Sequence, residues 1–493
     1  AASFTGNGGL VMDGGRIRIK NSSSTQPELV GDNTAYILTG GTVEFYGTSA
    51  IQQQQMRGNY TSAGTKPKVN YYNVDINADA SNYSTIAGAG NVDLNSSFTL
   101  SGTMNVNSPA VLRMDKEESI DSTGTFNVKN GSGLLYGGSE GTPSSAIEGL
   151  EADASAGVNS GNIRTTNRSF SSSASYGFVS SGNMPTGTGL PSTVAGLYVY
   201  KTNAADMVTL NNATTTTVNG ILSLQNGKIL SSGTNKLILE KVGTASIVSP
   251  ANAGGVTNMG YENSYVIGSM GRITNAADVE NIFPIGSTSK YGPISLTPKT
   301  SSSQTYTCDY VSSGYGTYTL DPSNSPQLDH VSKVEYWNVS SSITPSANDD
   351  AKIKLFWRTH SQVSATNTDW ANLRVVHFDG TDWNTEINTT TNISGSTPTW
   401  GWVQCDNYAA NFSPFTIGTI TANNPLPVEL TYFTGTCLED GISQISWATA
   451  SEFNSKQFVV ERSEDGVHYT LVAVVPAAGF SNQVISYSIT DTS

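Results

Sequence analysis

From residue 1 to about residue 265 the chain repeats one pattern, a short run of alternating apolar and polar residues broken by Gly or Asn. Arg16-Ile17-Arg18-Ile19-Lys20, Thr42-Val43-Glu44-Phe45, Thr103-Met104-Asn105-Val106, Thr125-Phe126-Asn127-Val128 and Lys236-Leu237-Ile238-Leu239 all carry it. A period of two sends one set of side chains inward and the other to solvent, which is the signature of a strand. No helical periodicity of useful length competes with it. The expected fold class is therefore all-β.

The runs also recur. Ser101-Gly102-Thr103 and Thr123-Gly124-Thr125 each open an alternating strand, and Val218-Asn219-Gly220-Ile221-Leu222 is followed at once by Asn226-Gly227-Lys228-Ile229. A repeat of roughly 20 residues fits a parallel β-helix or β-solenoid, in which no rung buries its own face and rungs must stack. Asn and Ser at the corners can then form ladders. A set of ordinary β-sandwiches is the alternative. Residues 139–192, rich in Ser, Gly and Ala, interrupt the pattern and read as a long loop or insertion.

From about residue 268 to 422 the strands Thr305–Val311, Val334–Val339, Lys352–Arg358, Leu373–Phe378 and Gly401–Cys405, with the Asp379-Gly380 turn, predict a β-sandwich. Asn423-Asn424-Pro425 reads as a linker to a last domain over 423–493. With 493 residues the chain exceeds one ordinary core. Only 13% of residues are charged, 49 are Gly, and the net charge is −14. That balance argues against nucleic acid or an anionic membrane as a partner. No run of 18 apolar residues is present, so no membrane insertion is expected. The start Ala1-Ala2-Ser3, without Met, fits a mature end left by signal cleavage, and equally a boundary chosen for expression.

Chemistry-bearing motifs are scarce. The four histidines, His330, His360, His377 and His468, have no metal-ligand spacing. No nucleophile elbow or phosphate loop occurs, and no catalytic residue, metal or cofactor is expected. Asp115-Lys116-Glu117-Glu118 with Asp121 is an acidic knot that a polysaccharide lyase or hydrolase could use. Contiguous side chains on a strand point to opposite faces, which favours a solvated turn instead. Asp349-Asp350 reads as a loop pair. The three cysteines include no C-x-x-C. A disulfide between Cys308 and Cys405 is one expectation, leaving Cys437 as a buried thiol. Six of the seven tryptophans lie between residues 337 and 402. Trp337 and Trp357 sit in strands and suit a core, whereas Trp370, Trp383 and Trp400 lie nearer loops and are candidate platforms for sugar rings.

The end of the chain runs Leu426-Pro427-Val428-Glu429-Leu430, Ile445-Ser446-Trp447-Ala448-Thr449-Ala450-Ser451-Glu452, Phe458-Val459-Val460-Glu461-Arg462-Ser463 and Asp465-Gly466. This series resembles the fibronectin type III-like module that precedes the C-terminal sorting domain in surface proteins of Bacteroidota exported by the type IX route. Phe283-Pro284-Ile285-Gly286 and Phe412-Ser413-Pro414-Phe415-Thr416-Ile417-Gly418 resemble the same class. The resemblance implies an extracellular, outer-surface location and contact with the secretion machinery during export. Its motifs specify secretion and architecture, not activity; the role expected of such a chain is non-enzymatic, structural or adhesive, with self-association, other surface proteins or glycans as partners. Asp121-Ser122-Thr123 resembles the short O-glycosylation motif of these bacteria. The family normally continues with further strands after Ile485-Ser486-Tyr487-Ser488-Ile489. Their absence here makes Ile485, Tyr487 and Ile489 candidates for an assembly edge, with truncation or processing as the plainer explanation. A carbohydrate-active enzyme or glycan-binding adhesin is the alternative reading.

Overall fold

A computed structural model describes residues 10–20, 36–47, 54–56, 69–78, 92–94, 97–115, 118–138, 149–152, 161–212, 215–343, 351–364, 366–386, 393–407, 409, 412, 414–422, 424, 429–438, 442–463, 466, 468–481 and 484–492. Among them regular structure is almost entirely strand, with three short 3₁₀ turns. The chain divides into two compact units. The first holds residues 1–291, 300–309 and 341–343; the second holds 292–299, 310–340 and 344–493.

The first unit is built from parallel sheets. The chain visits them in alternation: Thr103–Val106 and Ile120–Val128 lie in one sheet, Val111–Met114 and Gly133–Tyr136 in another. Each return adds a strand in register with the one before. Partners fall 22 residues apart at Thr103↔Thr125, 21 at Tyr176↔Leu197 and 25 at Leu197↔Leu222, close to the repeat read from sequence. Longer excursions, such as the 42 residues of Leu134↔Tyr176, leave the register intact. A third parallel sheet joins Met184–Pro185, Met207–Thr209, Lys228–Leu230, Val266–Ile267 and Ile285–Gly286.

Register turns the alternation into continuous rows. Val43, Val74, Met104 and Phe126 are successive partners, and all four are fully buried. Val92, Leu112, Leu134, Tyr176, Leu197 and Leu222 form the equivalent row of the second sheet. The Gly corners have a steric cause. A Cβ on Gly124 would lie 2.5 Å from the carbonyl oxygen of Gly102, and one on Gly102 would lie 2.6 Å from that of Tyr72. Any side chain there would push the strands apart.

The outward positions form a polar ladder. Asn127 donates to Asn105 at 3.0 Å, Asn105 to Asp75 at 3.0 Å, and Asn107 to Asn77 at 2.8 Å. Glu44 continues it, receiving Arg18 and Asn77, each at 3.0 Å. Burial alone would raise the Glu44 carboxyl, but hydrogen bonds from Arg18, Asn77 and Arg16 outweigh it and hold it below its usual range.

Two sequence expectations change here. The segment 139–192 is not simply an insertion. Ile163–Phe170 pairs in parallel with Ile120–Val128, and Ser175–Phe178 sits between Gly133–Tyr136 and Thr193–Tyr200. Its small residues mask a few well-placed large ones: Leu150, Ile163, Tyr176 and Phe178 are buried, and the Tyr136 hydroxyl donates to Gly149 and accepts from the Asn162 amide. The first unit also runs past residue 267. Met270–Thr274 continues the parallel sheet, and Gln304–Val311 then pairs with it antiparallel.

The second unit is antiparallel. One sheet places Ala351–Arg358 between Ile294–Pro298 and Trp400–Gln404, with Ile393–Thr397 beyond. Another groups Leu373–Phe378, Trp383–Thr385 and Phe415–Thr419. The Asp379-Gly380 turn forms as expected, with Gly380 at φ +105° and the Asp379 carboxylate accepting from the Thr381 and Asp382 amides. The last strands are Glu429–Cys437, the 20-residue Ser443–Arg462, Thr470–Ser481 and Ile485–Asp491.

Candidate functional site

The three candidate sugar platforms are core residues. Trp383 is fully buried and donates its indole N–H to Thr317 at 2.7 Å. Trp370 donates to Ser364 at 2.6 Å and packs on Trp357. Trp400 is sandwiched between Phe356 and the Arg358 guanidinium, the latter 3.5 Å from the ring centre. Loop proximity in sequence misled because Trp383 and Trp400 each open a strand and Trp370 sits in a short 3₁₀ turn, with the Trp370 and Trp383 indoles bonded to carbonyls. None of the three offers a face to a glycan.

Cys308 and Cys405 are each a buried free thiol, not a disulfide. Cys308 sits opposite Met270 in its ladder, and burial pushes its thiol well above the ordinary value. The Cys405 thiol is pushed up to about 12 by burial, and its sulfur accepts the Ile353 amide at 3.0 Å. Cys437, expected to be buried, is exposed.

Three histidines that lack ligand spacing each lie against a carboxylate. His377 lies 2.9 Å from Glu386, and His330 lies 2.7 Å from Asp329. His360 lies 3.2 Å from the fully buried Glu335, which also accepts the Tyr310 hydroxyl at 3.0 Å. The Asn423-Asn424-Pro425 linker is anchored at Asn424, which is fully buried and bonds His330, Ser364 and Asp369. Apart from the adjacent Asp329 and His330, spacing gave no sign of these groupings; His330 and Asn424 lie 94 residues apart.

The acidic knot is a braced turn. Lys116, Glu117 and the Asp349-Asp350 pair lie outside the described residues. Asn162 ties the turn by donating to the carbonyls of Asp115 and Glu118. Arg113 lies 2.7 Å from Asp115 and 3.8 Å from Asp93, a carboxylate contributed by the neighbouring strand. Burial pushes Asp93 up to about 6 and Glu118 up to about 8, the latter although it accepts the Asp115 amide. Among the described residues no group of three His, Cys, Asp or Glu is arranged to hold a metal ion, and no helix is long and apolar enough to cross a membrane.

The terminal strands are the distinctive surface. Ser443–Arg462 pairs through its first half with two strands, Glu429–Cys437 and Ile485–Asp491. Its second half pairs with Thr470–Ser481 alone among the described strands. Ile485, Tyr487 and Ile489 are half-buried opposite Thr449, Trp447 and Ile445, and Tyr487 stacks on Trp447 at 5.5 Å. Their side chains thus face their own sheet. Of the twelve large apolar residues exposed among those described, nine lie after Glu429, including Phe433, Val459, Leu471 and Val474. The pairs Val459↔Val474 and Glu461↔Leu471 place three of these beside a carboxylate on one hairpin.

No known family, curated protein or solved structure matches this chain.

Proposed function

We propose that the chain is an extracellular structural or adhesive subunit: a β-solenoid stalk, a β-sandwich and a fibronectin type III-like module, of the class exported by the type IX route in Bacteroidota. The concentration of exposed apolar side chains on the terminal strands carries this reading, because such side chains ask for a protein partner. The in-register rows and the outward Asn/Asp ladder agree with it, since they spend the chain's polar side chains on stacking. Immunogold labelling of intact cells that make the protein tests the reading. Gold on surface fibres or an outer layer is expected; label confined to the cell interior overturns it.

A second reading, a carbohydrate-active enzyme, draws on Asp93 and Glu118 around Arg113, since a carboxyl kept protonated near neutral pH is what a general acid needs. Depolymerisation of acidic or neutral polysaccharides, abolished by Glu118→Gln, would support it. Absence of turnover across such a panel ends it.

A further inference from the structure

We infer that Tyr310, Glu335 and His360 form a three-ligand site for a divalent transition-metal ion of the zinc class. All three lie within the second unit. Tyr310 comes from the strand Gln304–Val311, Glu335 stands just before the strand Tyr336–Ser341, and His360 sits in the 3₁₀ turn Thr359–Ser361. Their polar atoms close a triangle. The Tyr310 hydroxyl lies 3.0 Å from Glu335 Oε2 and 2.9 Å from His360 Nε2, and that nitrogen lies 3.2 Å from the same carboxylate oxygen. The third donor is a phenol, so the group differs from a cluster of His, Cys, Asp and Glu alone.

Hydrogen bonding alone leaves this triangle short of protons. The phenol O–H and one imidazole N–H can bridge at most two of its three sides, and an ionised carboxylate adds none. Glu335 is fully buried, and its Oε1 has no hydrogen-bond partner among the described residues. The side chains bonded to its carboxylate there are a phenol and an imidazole, neither of them a permanent cation. Burying a charge so weakly matched is costly; a coordinated dication supplies both the opposite charge and a partner for the second oxygen. The distances suit such an ion. The centre of a triangle with these sides is nearer to each corner than the about 2.0–2.2 Å that zinc takes to a His nitrogen or carboxylate oxygen, so an ion slightly out of its plane reaches all three. Three protein ligands leave a fourth tetrahedral position for water. Imidazole among the donors favours zinc or copper over calcium or magnesium.

The fold holds the donors from behind. The Tyr310 ring packs on Trp337 at 5.4 Å and fills the space beside Gly292, where any Cβ would collide with it. Trp337 is pinned in turn by its indole N–H, which donates to the Gly292 carbonyl at 2.8 Å. The Glu335 carbonyl accepts the Thr416 hydroxyl at 2.6 Å, which fixes the backbone that carries the carboxylate. His360, its side chain 19% exposed, gives the ion a way in. On binding, the phenol proton is displaced to solvent.

The test uses the full chain, cleared of metal by chelation, in three forms: wild type, Tyr310→Phe, which keeps the packed ring, and His360→Gln. Calorimetric titration with Zn²⁺ should find one site in wild type, weakened at least about tenfold in each variant. Zinc should also raise the thermal unfolding midpoint of wild type. Cu²⁺, which the same donors bind more tightly, reads the phenol directly. Wild type should show a phenolate-to-copper charge-transfer band in the visible, and Tyr310→Phe should not. A wild type that takes up no zinc overturns the inference, as do variants that bind zinc like wild type, the result expected if an exposed histidine such as His468 held the ion. A copper band kept in Tyr310→Phe overturns it too. Should a variant lose its fold by circular dichroism, the wild-type copper band decides: its presence at one equivalent supports the site and its absence overturns it. The surface role tested by immunogold labelling stands or falls independently.

Discussion

Glu118→Gln makes a pH-dependent difference that only the folded structure explains. The Glu118 carboxyl has an ordinary value of 4.5 and is pushed up to about 8, with burial the largest cause. The folded protein therefore binds this proton more tightly than the unfolded chain does. Below about pH 4.5 both forms are protonated and nothing is lost. Between 4.5 and 8 the unfolded chain releases its proton and the folded one keeps it, so stability falls as pH rises; above 8 the loss levels off. At about 1.4 kcal/mol per unit the full displacement would reach about 5 kcal/mol. Water reaches part of the side chain, and screening brings the expected loss to about 2 kcal/mol. Asp93, pushed up to about 6, adds a loss of the same sign at lower pH. Gln keeps an oxygen for the Asp115 amide, the bond that Glu118 accepts at 2.8 Å. The variant should match wild type near pH 4.5 and exceed it by about 2 kcal/mol at pH 9. Denaturant unfolding at the two pH values measures this. Exchange of the Ile120 amide, which donates to Asn162, localises it to the turn. A difference that is the same at both pH values, or a wild type more stable than the variant at pH 9, refutes the reasoning.

Phe126→Ala, at the end of a fully buried row, should cost about 3–5 kcal/mol and show as a lower unfolding midpoint. Asn105→Leu removes two ladder bonds, to Asp75 and from Asn127, and should cost about 1–2 kcal/mol in the same assay. Alkylation of the native protein should label Cys437 alone, with Cys308 and Cys405 reacting only on unfolding; mass mapping of the adducts checks it. Titrating the folded protein with soluble glycans should leave tryptophan emission unchanged, because Trp370, Trp383 and Trp400 are sealed in the core.

Strand periodicity is a local property, and it was fully legible. The runs at Thr103–Val106 and Thr125–Val128 announce their inward faces, and the Gly before each marks a corner where successive strands nearly touch. The segment 139–192 was misread because composition averages away its few buried anchors, Ile163, Tyr176 and Phe178. The aromatic platforms failed for a related reason: a place near a predicted strand end says nothing about burial, and Trp383 and Trp400 open strands with their rings in the core. The Asp93–Arg113 and Glu335–His360 contacts were invisible because strand pairing and sheet packing, not spacing, bring their members together.

The sequence by itself determined an all-β chain, the inward and outward sides of its strands, and the repeat that lets them stack. Those follow from side-chain alternation and backbone sterics, which act between near neighbours. Tertiary structure alone decided which polar groups are buried together and which tryptophans leave the surface. Each of those depends on contacts between residues tens of positions apart, where register and burial set the energy and local pattern carries no record of the partner.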